Sequence, residues 1–164
     1  MTDVVIPARA LRDEMSAGAP AGRIRNRART PMPWDASPTG GFTTAGVRPW
    51  LPVGDHAERD VASQRDDPTS RLRFCRDLLA LRRAEFGGTI AAYTQLPAPP
   101  GVWVYRVGSL VVAANFSGEP VCPGELGGSP LVSTSRAAKG PEPAGPVTRL
   151  GPWDGVIVRD GAVT

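Results

Sequence analysis

Four carboxylates crowd one short stretch of this chain: Asp35, Asp55, Glu58 and Asp60. Paired carboxylates flanking a scissile bond are the machinery of glycoside hydrolysis, and in retaining enzymes they stand about 5–5.5 Å apart. The spacing of these four imposes no such geometry, and no regular element flanks them to hold it. Capping or solvated roles are therefore expected. His56 is the sole histidine, with no cysteine or carboxylate cluster at ligand spacing around it. It reads as an exposed loop histidine, so neither a metal nor a cofactor is expected. No serine sits in G-x-S-x-G and no Gly-rich phosphate loop precedes a helix, so serine-hydrolase and nucleotide chemistry lack support.

Arg23, Arg25, Arg27 and Arg29 alternate, and an extended backbone would carry all four on one side. With Trp34, Phe42 and Trp50 as stacking groups, that run has the ingredients of a nucleic-acid patch. The formal net charge is only +3, however, and no nucleic-acid fold surrounds the run. Arginines tying a long loop down through ion pairs and carbonyl contacts are the expected reading. No nucleic-acid partner is expected.

The elements that must position these residues fall into three regions. Residues 1–66 are rich in Arg, Pro and Gly and show no sustained helical or strand period beyond a possible turn within 4–15. So long a structureless stretch suits a functional loop of something larger. Residues 67–86 carry a helix pattern, with Asp67 as N-cap, Pro68 at the first helical position and Gly87-Gly88 as the stop. Its apolar stripe runs through Leu72, Phe74, Cys75, Leu78, Leu79 and Leu81, and a stripe of that breadth needs a partner layer. From residue 89 the period becomes two. Strands are expected at 89–95, 102–107 and 110–116, with Gly108-Ser109 as a type II′ hairpin turn. Weaker ones are expected at 131–134, 147–150 and 156–159, the last after an Asp154-Gly155 turn. A small antiparallel β-sandwich or barrel-like sheet follows from these short, Gly/Pro-punctuated strands. Trp103, Tyr105, Phe116 and Trp153 could stack on sugar rings, although Trp103 and Tyr105 share one face and read as core. A non-catalytic carbohydrate-binding or structural β module is therefore an alternative reading of 89–164.

Composition bounds the rest. The chain has 164 residues, 41% hydrophobic and 21% charged, with 19 glycines and 18 prolines. That is globular, loop-rich, and too short for a complete (β/α)₈ barrel of about 250 residues. Cys75 and Cys122 can make no disulfide framework, no apolar run reaches membrane-span length, and the N-terminus lacks a signal-peptide pattern. A cytoplasmic location without a membrane partner is expected.

The stretch Arg25-Asn26-Arg27-Ala28-Arg29-Thr30-Pro31-Met32-Pro33-Trp34-Asp35 is followed by Gly41-Phe42-Thr43-Thr44, Pro49-Trp50-Leu51-Pro52-Val53 and Gln64. This succession resembles the late part of α-glucosidases of the α-amylase superfamily, including oligo-1,6-glucosidases and trehalose synthase-like enzymes. There R-x-x-x-R-T-P-M-Q-W-D precedes G-F-T and P-W-L-P-V. A helix of the form D-P-x-S-x-L-x-x-x-R-x-L-x-x-L-R comes next, matched here from Asp67 to Arg82. Val111 to Ser117 is similar to the strand carrying the family's N-F-S/T motif. Two departures stand out: Asn26 replaces a common Asp, and Pro33 replaces the Gln.

The resemblance implies a composite, mostly β chain. Residues 1–66 would be the loop after the eighth strand of a truncated (β/α)₈ barrel, 67–88 its last helix, and 89–164 the C-terminal antiparallel β domain. It implies an activity on α-glucosidic bonds through an Asp nucleophile, a Glu acid and a stabilising Asp. All three would lie upstream, so no catalytic residue is expected here and the chain should be inactive alone. The chain would then be either the product of a truncated gene or one part of a split enzyme whose N-terminal partner supplies the catalytic carboxylates. The family role of holding the terminal glucose would fall on Arg29, with Arg25 bracing the same loop.

Overall fold

The computed structural model describes residue 6 and residues 29–54, 56–57, 59–89, 91–124, 126–135 and 145–160. The chain divides into two compact units, Met1–Asp67 and Pro68–Thr164. Arg25, Asp55, Glu58 and the turn expected within 4–15 lie outside the described residues.

In the first unit, irregular backbone from residue 29 leads to a short helix, α1 (Val61–Asp66). Nothing in the apolar period announces this helix, because its six residues VASQRD carry no stripe. Its start is set instead by Asp60, whose side chain accepts from the Ser63 amide. Among the described residues of this unit, Leu51 is a buried apolar side chain.

The second unit opens with α2 (Arg71–Phe86). It begins later than the Asp67-Pro68 pair suggests. Asp67 is used as the C-cap of α1, and Ser70 caps α2 by accepting from the Arg73 amide. Gly87, at φ 53°, ends it and donates its N–H to the Arg83 carbonyl. Despite the apolar stripe, no α2 residue is buried.

Five strands follow: β1 (Tyr93–Leu96), β2 (Val102–Val107), β3 (Leu110–Asn115), β4 (Pro130–Ser133) and β5 (Gly155–Arg159). They form one sheet in the order β1-β2-β3-β5-β4, and every neighbouring pair is antiparallel. Gly108 takes φ 56° while Ser109 does not turn positive, the sign pattern of a type II′ turn. Val104 faces Ala113 and Ala113 faces Val156, so one side of the sheet is apolar from β2 to β5. That side, with Val111 and Val158, is the core, and Leu126 and Leu150 complete it.

The layer over this core is not the second sheet of a sandwich. Among the described residues it consists of two isolated bridges, Val121 with Leu150 and Leu126 with Val147. Pro120, Pro123, Pro146 and Pro152 flank these bridges and remove the donors a longer ladder would need. The strand expected at 147–150 is reduced to the two ends of those bridges. The turn before β5 also moves: Trp153 takes φ 55°, and Gly155 is already the first strand residue.

Candidate functional site

The candidate site lies in the first unit, on the loop that starts at Arg29. Arg29 is exposed, and Pro31 two residues on is buried and anchors the chain. Past it the backbone turns back sharply. The Trp34 amide donates to the Gly40 carbonyl at 2.6 Å, and Gly40 donates to Ser37 at 2.7 Å. The Pro33 and Trp34 carbonyls then accept from the Val61 and Ala62 amides at 3.0 Å each. Those amides belong to the first turn of α1, which has no intrahelical acceptor for them. The short helix and the turn therefore complete each other.

Two carboxylates hold this arrangement. Asp35 Oδ1 accepts from the Ser37 amide at 2.9 Å. The Ser37 hydroxyl and amide keep its carboxyl below the usual carboxylate range. Asp60 has no exposed surface at all. It accepts from the Ser63 hydroxyl at 2.5 Å and from the Ser63 amide at 2.9 Å, and these bonds lower its pKa likewise. Both groups are held ionised by serine, so neither can serve as a proton donor near neutral pH. The capping role expected for them is the one Asp60 plays.

His56 departs from the exposed histidine expected. It is half-buried, with Nδ1 2.8 Å from the Gly54 carbonyl and Nε2 2.7 Å from the Ser37 carbonyl. A neutral ring can donate to only one of them. The imidazole thus sits between the Gly54 and Ser37 carbonyls, the second of them 19 residues from His56 in sequence.

Sequence reasoning missed the role of the Gly40-Gly41 pair. Both have positive φ, 61° and 62°. A Cβ on Gly41 would sit 2.6 Å from Asp35 Oδ2, and one on Gly40 would sit 2.8 Å from Val53 Cγ1. The available signal was a Gly pair a few residues after Asp-x-Ser. Gly41→Ala is expected to destabilise the turn by roughly 1–3 kcal/mol through backbone strain alone, seen as several-fold faster limited proteolysis between residues 33 and 47.

Around this clasp Met32, Trp34, Phe42 and Trp50 are all exposed. The loop therefore offers a guanidinium at Arg29 and an apolar, partly aromatic rim on a pinned backbone. That is equipment for binding a polar ligand with apolar faces, and not for proton transfer. Among the described residues no group of three or more His, Cys, Asp or Glu side chains could hold a metal ion. No described helix is long and apolar enough to cross a membrane.

In the second unit, the N-F-S motif has a structural role. Asn115 donates to the Glu119 and Gly151 carbonyls at 2.8 and 2.7 Å, and its Oδ1 accepts from the Ser117 amide and hydroxyl. The expectation that Trp103 and Tyr105 belong to the core is overturned. They lie on the opposite side of the sheet, Trp103 is 43% exposed, and with Tyr93 they form an aromatic cluster. Burial, and then the neighbouring Tyr93, raises the pKa of Tyr105.

Comparison with known proteins places this geometry. An alpha-glucosidase of Schizosaccharomyces pombe is 39% identical over 111 residues, which are 62% of this chain and 19% of the relative. The trehalose-6-phosphate hydrolase of Escherichia coli is 32% identical over 145 residues, 83% of this chain and 26% of the relative. Among solved structures, the trehalulose synthase MutB from Pseudomonas mesoacidophila superposes with a TM-score of 0.64 at 29% identity, covering 82% of this chain and 26% of that one. This chain therefore spans only about a quarter or less of the proteins it matches. The model for the alpha-amylase catalytic domain matches residues 1–88, a stretch that takes in the clasped loop, α1 and α2. With more than half of its length inside that match, the chain belongs to the alpha-amylase family.

Proposed function

We propose that this chain is the substrate-side and C-terminal part of an α-glucosidase-type glycoside hydrolase acting on α-glucosidic bonds. Residues 1–66 form the loop after the eighth barrel strand, 67–88 the last barrel helix, and 89–164 the C-terminal β domain. Arg29, with Arg25 as its brace, holds the hydroxyls of the terminal glucose; the planar guanidinium fork suits such paired acceptors. The catalytic Asp, Glu and Asp come from barrel segments outside this sequence, and this stretch alone is inactive.

The observation that carries this reading is the clasp of Pro33 and Trp34 onto α1. It fixes the T-P-M-P-W-D segment, next to Arg29, inside the region that matches the catalytic-domain model. Asp35 and Asp60 there serve the fold, which is what a loop that binds without catalysing requires.

The test is co-expression of the full chain with the S. pombe alpha-glucosidase cut just ahead of the segment this chain matches. Hydrolysis of p-nitrophenyl α-glucoside, maltose and isomaltose is then followed. Neither polypeptide alone should turn over substrate, and the pair should. Arg29→Ala in the pair is expected to lower kcat/KM by roughly 100-fold, a loss within the range of a charge-assisted contact made to the reacting sugar. Robust turnover by the wild-type chain alone would contradict the proposal.

A further inference from the structure

His56 stands between two carbonyl oxygens, that of Gly54 at 2.8 Å from Nδ1 and that of Ser37 at 2.7 Å from Nε2. A carbonyl oxygen only accepts, so each contact needs a proton on the ring nitrogen that makes it. The neutral imidazole carries one such proton and the imidazolium carries two. Once either proton is lost, a ring lone pair faces a carbonyl lone pair at hydrogen-bond distance, and that contact has to open.

Ser37 is a junction and not an incidental anchor. Its amide donates to Asp35, its hydroxyl accepts from the Gly41 amide at 3.0 Å, and its carbonyl also accepts from the Gly40 amide. Through Nε2 the histidine therefore fastens the segment that leads into α1 to the turn between Trp34 and Gly41. The surroundings favour the cation. His56 is half-buried, where a charge-assisted hydrogen bond gains over its counterpart in water. Asp35, half-buried on the same loop, attracts its charge, and Asp60 at the cap of α1 acts on Asp35 in turn. Arg59, whose amide donates to the His56 carbonyl at 2.9 Å, brings a like charge, but it is exposed and screened by solvent. Asp55 and Glu58, close to it in sequence, lie outside the described residues.

We infer that His56 is a proton-operated pin. As imidazolium it holds the turn at Ser37 and the chain at Gly54 together, and on losing a proton it releases one of them and loosens the rim carried by Trp34, Phe42 and Trp50. The device belongs to the loop itself and stands whatever the loop binds. Two donations that need the charged ring raise the folded titration midpoint above the unfolded one. By linkage the stabilisation is complete below the unfolded histidine value of about 6.5 and is lost as pH rises through the folded midpoint. That window lies above the carboxylate range, so Asp35 and Asp60 stay ionised throughout it.

His56 is the sole histidine, so proton NMR of the full chain, prepared without a histidine tag, reads its titration directly. Between pH 5.5 and pH 9 the midpoint should lie above that of the same chain unfolded in urea. Asp35→Asn, which keeps an oxygen for the Ser37 amide but removes the charge, should lower it. Subtilisin cleavage between residues 33 and 54, normalised at each pH to a peptide substrate, should be roughly threefold or more faster at pH 8.5 than at pH 6 and follow the NMR midpoint. His56→Gln has no group that titrates in this range and can still donate to one carbonyl. It should be cleaved at the wild type's pH 8.5 rate at both pH values, with circular dichroism melting to confirm that it folds.

A folded midpoint at or below the urea value overturns the pin from the wild type alone. So does a cleavage rate that rises with pH as steeply in His56→Gln as in the wild type, since another group would then be the one that titrates.

Discussion

Asn115→Ala is expected to lower the melting temperature of the β-sheet unit by about 10–20 °C, because one buried amide closes three separate segments. Its two donations reach the Glu119 and Gly151 carbonyls, and its Oδ1 receives both the amide and the hydroxyl of Ser117. Asn115 is 2% exposed, so alanine leaves a closed site in which its partners are only partly reached by water. Stranded buried donors and acceptors cost about 1–3 kcal/mol each when nothing else satisfies them, and partial relaxation brings the total to roughly 2–4 kcal/mol. In a domain of this size each kcal/mol moves the midpoint by about 4–8 °C. Asn115→Asp separates the contributions. It keeps the acceptor for Ser117 but faces two carbonyl oxygens with a negative charge, so at neutral pH it should melt at least as early as the alanine variant. Acidification should recover part of the loss, since a protonated carboxyl can donate to one carbonyl. Scanning calorimetry at pH 7 and pH 4 measures both effects. A midpoint for Asn115→Ala within 3 °C of wild type would show that the three segments hold without this residue.

What was legible in the sequence, and what was not, divides along a physical line. Strands β2 and β3 could be read almost to the residue, because Val104, Val111 and Ala113 alternate with side chains facing the other way, and Gly108 supplies the turn. The same period could not tell which side was inside. Trp103 and Tyr105 look like core by type, and the core formed on the Val104 side because Leu126 and Leu150 cover only that side. The covering layer was misread as strands for a related reason. Apolar alternation near Val147 and Leu150 is real, but the surrounding prolines limit it to bridges. In the first unit the family motif drew attention to the stretch from Arg29 to Asp35, while its geometry was hidden. The clasp is made by backbone carbonyls of Pro33 and Trp34 meeting backbone amides of Val61 and Ala62, and side-chain types do not encode such bonds. His56 was misjudged for the same reason, since its partners are two carbonyls. α1 escaped notice because six residues are too few to show a period, and the one local signal was Asp60 three residues before Ser63.

That signal leads to the second large effect, on the loop that carries Arg29. Asp60→Ala should speed limited proteolysis of residues 33–65 by roughly tenfold, because a cap is removed from a helix with no margin. Six residues cannot hold a helix on propensity, so once the Ser63 amide and hydroxyl lose their acceptor, α1 opens. The Val61 and Ala62 amides then leave the Pro33 and Trp34 carbonyls, and the turn around Gly40 loses its backing. The wild type should undergo the same opening in acid. The pKa of Asp60 is lowered in the fold by Ser63, and that of Asp35 by Ser37. Between the folded and unfolded values the folded loop therefore binds fewer protons than the open one, and falling pH favours opening. The contribution is complete above the unfolded aspartate value of about 3.9, and is lost as pH falls through the lower folded values. Pepsin digestion from pH 5 down to pH 2 should thus accelerate below about pH 4. Asp60→Asn keeps a good capping oxygen without the charge, so it should stay protected at pH 5 and show a shallower acid dependence, with the remainder due to Asp35. Equal acid profiles for wild type and Asp60→Asn would place the acid-sensitive contact elsewhere. Equal cleavage of wild type and Asp60→Ala at pH 7, read with trypsin, would mean that the loop stands without α1.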